Sequence, residues 1–284
     1  MTCFNQFRFT LWDVGHGLSI WIETPNGQNH WIDVGRSDNF SPSVHVAQSH
    51  GVRFIDYLIL SHPDRDHLND LPNFMSVFPE SPGVILQNKT IPTAIRYDPP
   101  EADYSQCLMS LDDRLRYSVA DDRDPSQPSI NGGVEYTSSF NSYVSGMTTN
   151  NASVVTMISF RGLVIVCPGD IEDSGWRRFW SNSGHLFEQK LRNASCVILV
   201  APHHGGHSCY SKQLLENVRP NVCLISDLWG RTETHEAYRL FPMGYRFFNG
   251  PSSEYYSTKS TGSRIKIWVD EPGFFYLDQY KERT

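Results

Sequence analysis

The sequence predicts an α/β sandwich built on mixed sheets, and three features point to it. Apolar strand-like runs interleave with helix-like segments along most of the 284 residues. The early runs follow one another as hairpins instead of alternating with helices, which argues against a doubly wound parallel sheet. Several later runs are continuously apolar and rich in β-branched residues, as expected of strands covered on both faces.

Taken in order, "FRFTLWDV" and "LSIWIET" read as strands separated by the glycines of "GHG", and "PNGQ" reads as the turn into a third strand, "HWIDVG". "SVHVAQSHG" predicts a short helix closed by Gly51, and "IDYLILS" a buried strand. From residue 89 to 149 Pro, Asp, Ser and Arg dominate and periodicity is weak outside "CLMSLDDRLRYSV". That texture predicts an insertion with little core, serving as a lid or substrate-facing loop within one domain spanning 1–284. Order returns with the strand pair "ASVVTMISF" and "LVIVCPGD". A helix "IEDSGWRRFWSNS", a strand "ASCVILVAPHH", a helix "SKQLLENV", a strand "NVCLISD" and a closing hairpin "SRIKIWVDEPGFFYLDQY" follow.

Composition is that of a globular chain: 39% hydrophobic, 19% charged, with no uninterrupted apolar run of membrane-spanning length. No basic leader with an apolar core opens the chain, so a cytoplasmic location is expected. Six scattered cysteines without a C-x-x-C pair read as reduced thiols. The net charge of −7 weakens the picture of a protein coated for DNA. It leaves a polyanionic substrate open, because carboxylates that hold cations count as negative here.

The chemistry concentrates where apolar strands end. In "LILSHPDRDHLND", His62, Asp64, Asp66 and His67 fall within six residues of one another directly after a buried run. Imidazole nitrogen and carboxylate oxygen are the donors divalent transition metals prefer, and a loop leaving a strand can aim several of them at one point. A solvated helix cap explains one aspartate but not four such groups. Asp170 follows the next strand through a Pro-Gly turn, and His203, His204 and His207 follow the strand after it. An isolated Asp or His at such a place is ordinary turn chemistry; the recurrence is the signal.

These segments resemble the metallo-β-lactamase superfamily. Within it they are most similar to the metallohydrolase domain of bacterial competence DNA-uptake proteins of the ComEC type. "DVGHG", "WIDVG", "SHPDRDHLND", "NNASVV", "CPGDIE" and "APHHGGHS" occur in that branch's order between Arg8 and Asp270, with the middle insertion unmatched. The resemblance implies a four-layer αββα sandwich and a dinuclear site for two divalent ions. His62 and Asp64 would hold one ion; Asp66, His67 and a histidine of the 203–204 pair would hold the other; Asp170 would bridge them. His203, nearest the strand end, is the expected ligand and His204 the group beside the substrate, with the reverse assignment open. Asp33 is expected to brace the metal loop, and Asn150, Asn151 and His235 to lie near the substrate. Asp64 stands where the superfamily usually has His, and asparagine where its third-motif His falls. This shifts the donor set towards oxygen, so manganese is as good an expectation as zinc.

The activity implied is hydrolysis of a phosphodiester, with a nuclease foremost, through a water activated at the paired ions and with Asp66 and His204 moving the proton. Nucleic acid or another phosphodiester would be the substrate. Arg114, Arg116, Tyr117, Arg177 and Arg178 are candidate nucleotide contacts, although such residues more often form a solvated face. Two other readings stand beside it: a hydrolase of carboxylic esters, lactones or small phosphoesters, and a non-catalytic nucleotide-binding regulatory module. Filled His and Asp positions favour catalysis over the last.

Overall fold

A computed structural model describes residues 6–115, 124–228, 233–250, 252–258, 264–270 and 272–280. Its strands are β1 (Phe7–Leu11), β2 (Ser19–Glu23), β3 (Asn29–Val34), β4 (Tyr57–Ile59), β5 (Val84–Leu86), β6 (Glu135–Phe140), β7 (Val154–Phe160) and β8 (Leu163–Cys167). They continue with β9 (Cys196–Val200), β10 (Val222–Ile225), β11 (Tyr245–Arg246), β12 (Ser252–Ser253), β13 (Tyr255–Ser257), β14 (Arg264–Val269) and β15 (Phe275–Tyr280). The helices are α1 (Pro42–Ser49), α2 (Arg65–Leu68), α3 (Leu71–Val77), α4 (Thr93–Arg96), α5 (Asp103–Arg114), α6 (Pro128–Asn131), α7 (Asp173–Ser183), α8 (His185–Asn193), α9 (Lys212–Val218) and α10 (Ala237–Leu240).

One sheet has seven strands in the order β15-β14-β1-β2-β3-β4-β5, the other six in the order β13-β10-β9-β8-β7-β6. Both are mixed. The β1–β2–β3 meander is antiparallel and β3–β4–β5 parallel; β6–β7–β8 is antiparallel and β8–β9–β10–β13 parallel. β14 and β15 pair antiparallel as the predicted closing hairpin, and β14 docks on β1.

Side-chain alternation makes the layers. Phe9, Leu11, Ile20, Ile22 and Ile265 from the first sheet meet Ile158, Ile165, Ile198 and Leu224 from the second in a central core. The opposite faces are also apolar. Trp21, Trp31 and Leu58 pack with Val46, Phe74 and Leu108 of α1, α3 and α5, while Met157, Val164 and Leu199 pack with Trp176, Phe179 and Leu214 of α7 and α9. Helices therefore lie outside two facing sheets, the four-layer αββα order. Each fully buried large aliphatic or aromatic chain contributes about 1.5–3 kcal/mol by burial.

The middle segment is more ordered than its composition suggests. Its β6 forms the edge of the second sheet, and α5 buries Leu108 and Leu111 against α3. Arg114 does not reach for nucleotide: it donates to the carbonyls of Pro79 and Ser81, fastening α5 to the first sheet's loop. Arg116 and Tyr117 lie outside the described residues. Arg177 pairs with Asp173 on its own helix and Arg178 is exposed there, the solvated face that such residues usually form. Among the described residues no helix is long and apolar enough to cross a membrane.

A buried polar link joins β3 of the first sheet to β6 of the second. His30 of β3 contacts the Tyr136 hydroxyl of β6 through Nδ1 (2.7 Å) and Gln28 Oε1 through Nε2 (3.2 Å). Burial pushes its pKa down from 6.5 to about 3, so the folded chain holds it neutral while the unfolded chain protonates it near 6.5. Between those values the unfolded state binds the extra proton. The contribution of His30 is therefore complete above pH 6.5 and is lost as pH falls towards 3, by up to about 1.4 kcal/mol per unit. Urea unfolding should show wild-type stability dropping more steeply than that of His30→Phe between neutral pH and about pH 4; parallel pH profiles contradict this.

Candidate metal centre

The polar loops meet at the ends of β3, β4, β8, β9 and β10. Close approach is made possible by glycine at two places. A Cβ on Gly17 or on Gly35 would stand 2.5 Å from the carbonyl oxygen of Asp66, and Gly17 has φ +147. The "GHG" and "DVG" loops can thus close on the backbone of the β4–α2 loop, where Leu18 N–H donates to Asp66 O.

Asp33 braces this loop. It is fully buried with φ 52, a left-handed conformation that is strained for a non-glycine residue and concentrates at functional sites. Its Oδ1 accepts from Ser61 N–H (2.7 Å); its Oδ2 accepts from Ser61 Oγ (2.6 Å) and from His67 Nδ1 (2.7 Å). With Nδ1 donating, Nε2 of His67 is turned towards Asp170 Oδ1 at 3.2 Å. Asp170, at the turn after β8, also lies 3.8 Å from His62 Nε2, 3.7 Å from His204 Nε2 and 3.9 Å from His203 Nε2. The folded chain thus places Asp170 within 4 Å of ring nitrogens of His62, His67, His203 and His204.

The donor atoms of His62, His67 and Asp170 all lie within 4.8 Å of one another. The Nε2 atoms of both histidines are buried; that of His62 makes no hydrogen bond, and that of His67 has only the Asp170 carboxylate, at 3.2 Å. Unsatisfied buried polar atoms are costly and rare, and a divalent cation is the partner that two imidazole nitrogens and a carboxylate suit. The donor set fits a cation. Asp64 stands at the rim with Oδ2 at 3.7 Å from His62 Nε2 and Oδ1 accepting from Thr149 Oγ1 (2.8 Å).

Next to this cluster lies a second, formed by His16, Asp66 and His204. Asp66 Oδ2 is 3.1 Å from His204 Nε2 and 3.7 Å from His16 Nε2. His204 donates Nδ1–H to the carbonyl of Ser226 (3.0 Å), which leaves Nε2 facing Asp66 and Asp170. His16 is tied through Nδ1 to buried Asp227 at 3.1 Å. Asp227 thus does for His16 what Asp33 does for His67. Neither His16 nor Asp227 has a predicted role, yet "NVCLISD" repeats the pattern of a donor at a strand end that marks the other three clusters.

Charge is balanced within the group. Burial raises the carboxyl pKa of Asp170, but His67, His204 and His62 outweigh it and hold it well below the usual range. Burial likewise raises Asp66, while the His204 hydrogen bond and the field of His67 bring it below its ordinary value. Burial lowers His67, and the flanking carboxylates of Asp170 and Asp33 drive it well above 6.5. His204 is raised against its burial by Asp170 and Asp66. His62 is lowered by burial and by His67.

The remaining candidates fall elsewhere. His203 and His204 have φ of 47° and 58°, and the reversal sends their rings apart (interplanar angle 81°). His204 joins Asp66, while His203 turns Nδ1 to Cys209 and lies near Asn150 Nδ2 at 3.4 Å. Asn151 is committed to scaffolding: its amide donates to Glu172 Oε2 and accepts from Glu172 N–H. His235 stacks on Tyr210 at 3.9 Å and accepts the Ala237 N–H, a helix-cap arrangement. Beside Asp66 and His16 opens a cavity of about 680 Å³, lined by Arg36, Arg65, Arg264, Trp12 and Phe40 among others.

Two mixed sheets face to face between helices, with histidines and aspartates gathered at the strand ends, match the αββα sandwich expected from the metallo-β-lactamase resemblance. No family model matches the chain. The sequence is similar to competence protein ComA of Neisseria gonorrhoeae, 24% identical over 236 residues; the match covers 81% of this chain and 28% of that protein. Solved structures similar to it include a diphosphatase of the PhnP family (13% identity, 92% of this chain and 97% of that one, TM-score 0.44). Another is YhfI of Bacillus subtilis, a metallo-β-lactamase fold protein (13% identity, 96% and 100%, TM-score 0.43). The similarity to the competence protein thus extends over most of this chain and over less than a third of that protein.

Proposed function

We propose that the chain is a metal-dependent hydrolase of phosphodiesters, and specifically a nuclease. The observation that carries the reading is the convergence of the loops after β4 and β9 on Asp170, at the turn after β8, with the buried Nε2 of His62 left without a hydrogen bond and that of His67 facing only the Asp170 carboxylate. His62, Asp64, Asp66, His67, Asp170 and His204 would hold two divalent cations. This reading exchanges the roles first expected of His203 and His204, because His204 is the one that faces Asp66. Bound cations would supply Lewis-acid activation of water and neutralise charge on the phosphoryl oxygens.

The chain's own residues supply the rest. Asp33 and the Ser226 carbonyl fix His67 and His204 in the orientation that turns Nε2 inward. Asp66, held ionised and lining the cavity, accepts the proton of the attacking water at a carboxylate oxygen and returns it to the leaving oxygen. Arg36, Arg65 and Arg264 give the cavity three positive charges beside the carboxylates, suited to a phosphate backbone; half-buried Phe40 offers apolar surface for a base. The similarity to a competence protein supports nucleic acid as the polymer.

With manganese, the purified chain should cleave both bis-(4-nitrophenyl) phosphate and single-stranded DNA. Asp66→Ala should lower both rates by about 10²–10⁴-fold, the usual worth of a positioned acid–base group. Turnover of a lactone or thioester without diester cleavage, or a variant as active as the wild type, overturns the reading.

A further inference from the structure

We propose a separate cation site, of different chemistry, formed by Glu172, His203 and Cys209. Their donor atoms lie within 4.8 Å of one another, and since ligands of one ion with bonds of about 2.0–2.3 Å stand about 3–4 Å apart, small side-chain rotations bring all three onto it. The three come from different places in the fold: the turn before α7, the end of β9, and the 3₁₀ turn His207–Cys209. Their meeting is therefore a product of tertiary structure and not of sequence proximity.

Each donor is placed by its surroundings. Cys209 is a thiol, not a disulfide partner, and is 1% exposed with its Sγ 2.6 Å from Nδ1 of His203. The His203 ring takes its direction from a left-handed backbone, a conformation that costs energy in a non-glycine residue and persists only when held by its surroundings. Glu172 is held by the two-way bond with Asn151, and its neighbour Asp173 is anchored by the Ser211 hydroxyl at 2.7 Å. Asn151 then has a purpose: it positions Glu172.

The chemistry separates this site from the one around Asp170. There the donors are imidazole and carboxylate only; here a thiolate joins them, and thiolate with imidazole selects zinc-class ions over manganese or magnesium. Three protein donors leave a fourth position for water, as in zinc sites that stay open. His203 would bind through Nδ1, while its Nε2 lies 3.9 Å from Asp170 Oδ2. One imidazole thereby faces both clusters, so occupancy of the thiolate site would fix the ring beside Asp170. The proposal does not depend on which ester the protein hydrolyses.

Cobalt(II) tests it, because a thiolate ligand gives cobalt an intense near-ultraviolet charge-transfer band that imidazole and carboxylate do not. The full chain, reduced and metal-free, is titrated with cobalt and the bound metal counted. Expected are a thiolate–cobalt band that zinc displaces, and loss of that band with one cobalt per chain in Cys209→Ser, the other ions being retained. Glu172→Gln, which keeps an oxygen for Asn151, should weaken the ion responsible for the band by about 10-fold or more. A wild-type chain saturated with cobalt but lacking the band overturns the proposal. So does a band that survives Cys209→Ser, or a Glu172→Gln chain with unchanged affinity for the band-forming ion, which also decides the matter should Cys209→Ser fail to fold.

Discussion

Replacing Asp170 by asparagine is expected to cut phosphodiester hydrolysis by more than the ~100-fold that loss of an outer-sphere partner costs a metal site. The reason is its reach. Its two carboxylate oxygens lie between 3.2 and 3.9 Å from ring nitrogens of His62, His67, His203 and His204, a reach no other carboxylate has among the described residues. Asparagine keeps the shape and one oxygen but removes the charge and turns an N–H₂ towards an imidazole nitrogen. The cation loses the negative charge that attracted it, and bound metal should fall together with the rate. Metal content by elemental analysis and initial rates on bis-(4-nitrophenyl) phosphate are the two readouts. An Asp170→Asn chain that retains both its metal and its rate shows that the loops gather for another purpose.

How much of this was legible in the sequence depends on what each residue's position encodes. The strands whose two faces are both covered announce themselves as unbroken apolar runs, and a polar donor at the end of such a run has nowhere to go but the sheet's rim. That is why His62, Asp66, His67 and Asp170 could be picked out together. Edge strand β6, "EYTSSF", hides because its exposed edge and half-buried faces need no apolar run. The choice between His203 and His204 was not legible either. It is made by two successive left-handed residues, a backbone event with no counterpart in the identity of two adjacent imidazoles. His16 is identified as a site residue only by contacts with Asp227, 211 positions away, and with Asp66. The brace at Asp33 lies between these cases: "WIDVG" placed it at a strand end, but its partners belong to another loop.

That brace yields the second large effect. Asp33→Asn should leave a folded chain that binds metal about 10–100-fold more weakly and hydrolyses diesters in proportion. Asparagine can still accept the Ser61 N–H at one end. At the other, where Asp33 Oδ2 accepts from His67 Nδ1 at 2.7 Å, an amide nitrogen would now donate, and Nδ1 can accept only if the ring proton moves to Nε2. The nitrogen facing Asp170 at 3.2 Å is then protonated and has no lone pair for a cation. Asp33→Ala differs in kind, because it strips the Ser61 amide, the Ser61 hydroxyl and His67 of their acceptor inside the core, at roughly 1–3 kcal/mol for each group left unpaired. Asparagine should therefore impair metal binding with little loss of thermal stability, and alanine should impair both. Equal melting losses in the two variants would mean that Asp33 serves the loop's packing and not the proton on His67. Undiminished metal affinity in Asp33→Asn would mean that the ring nitrogen facing Asp170 does not hold the ion.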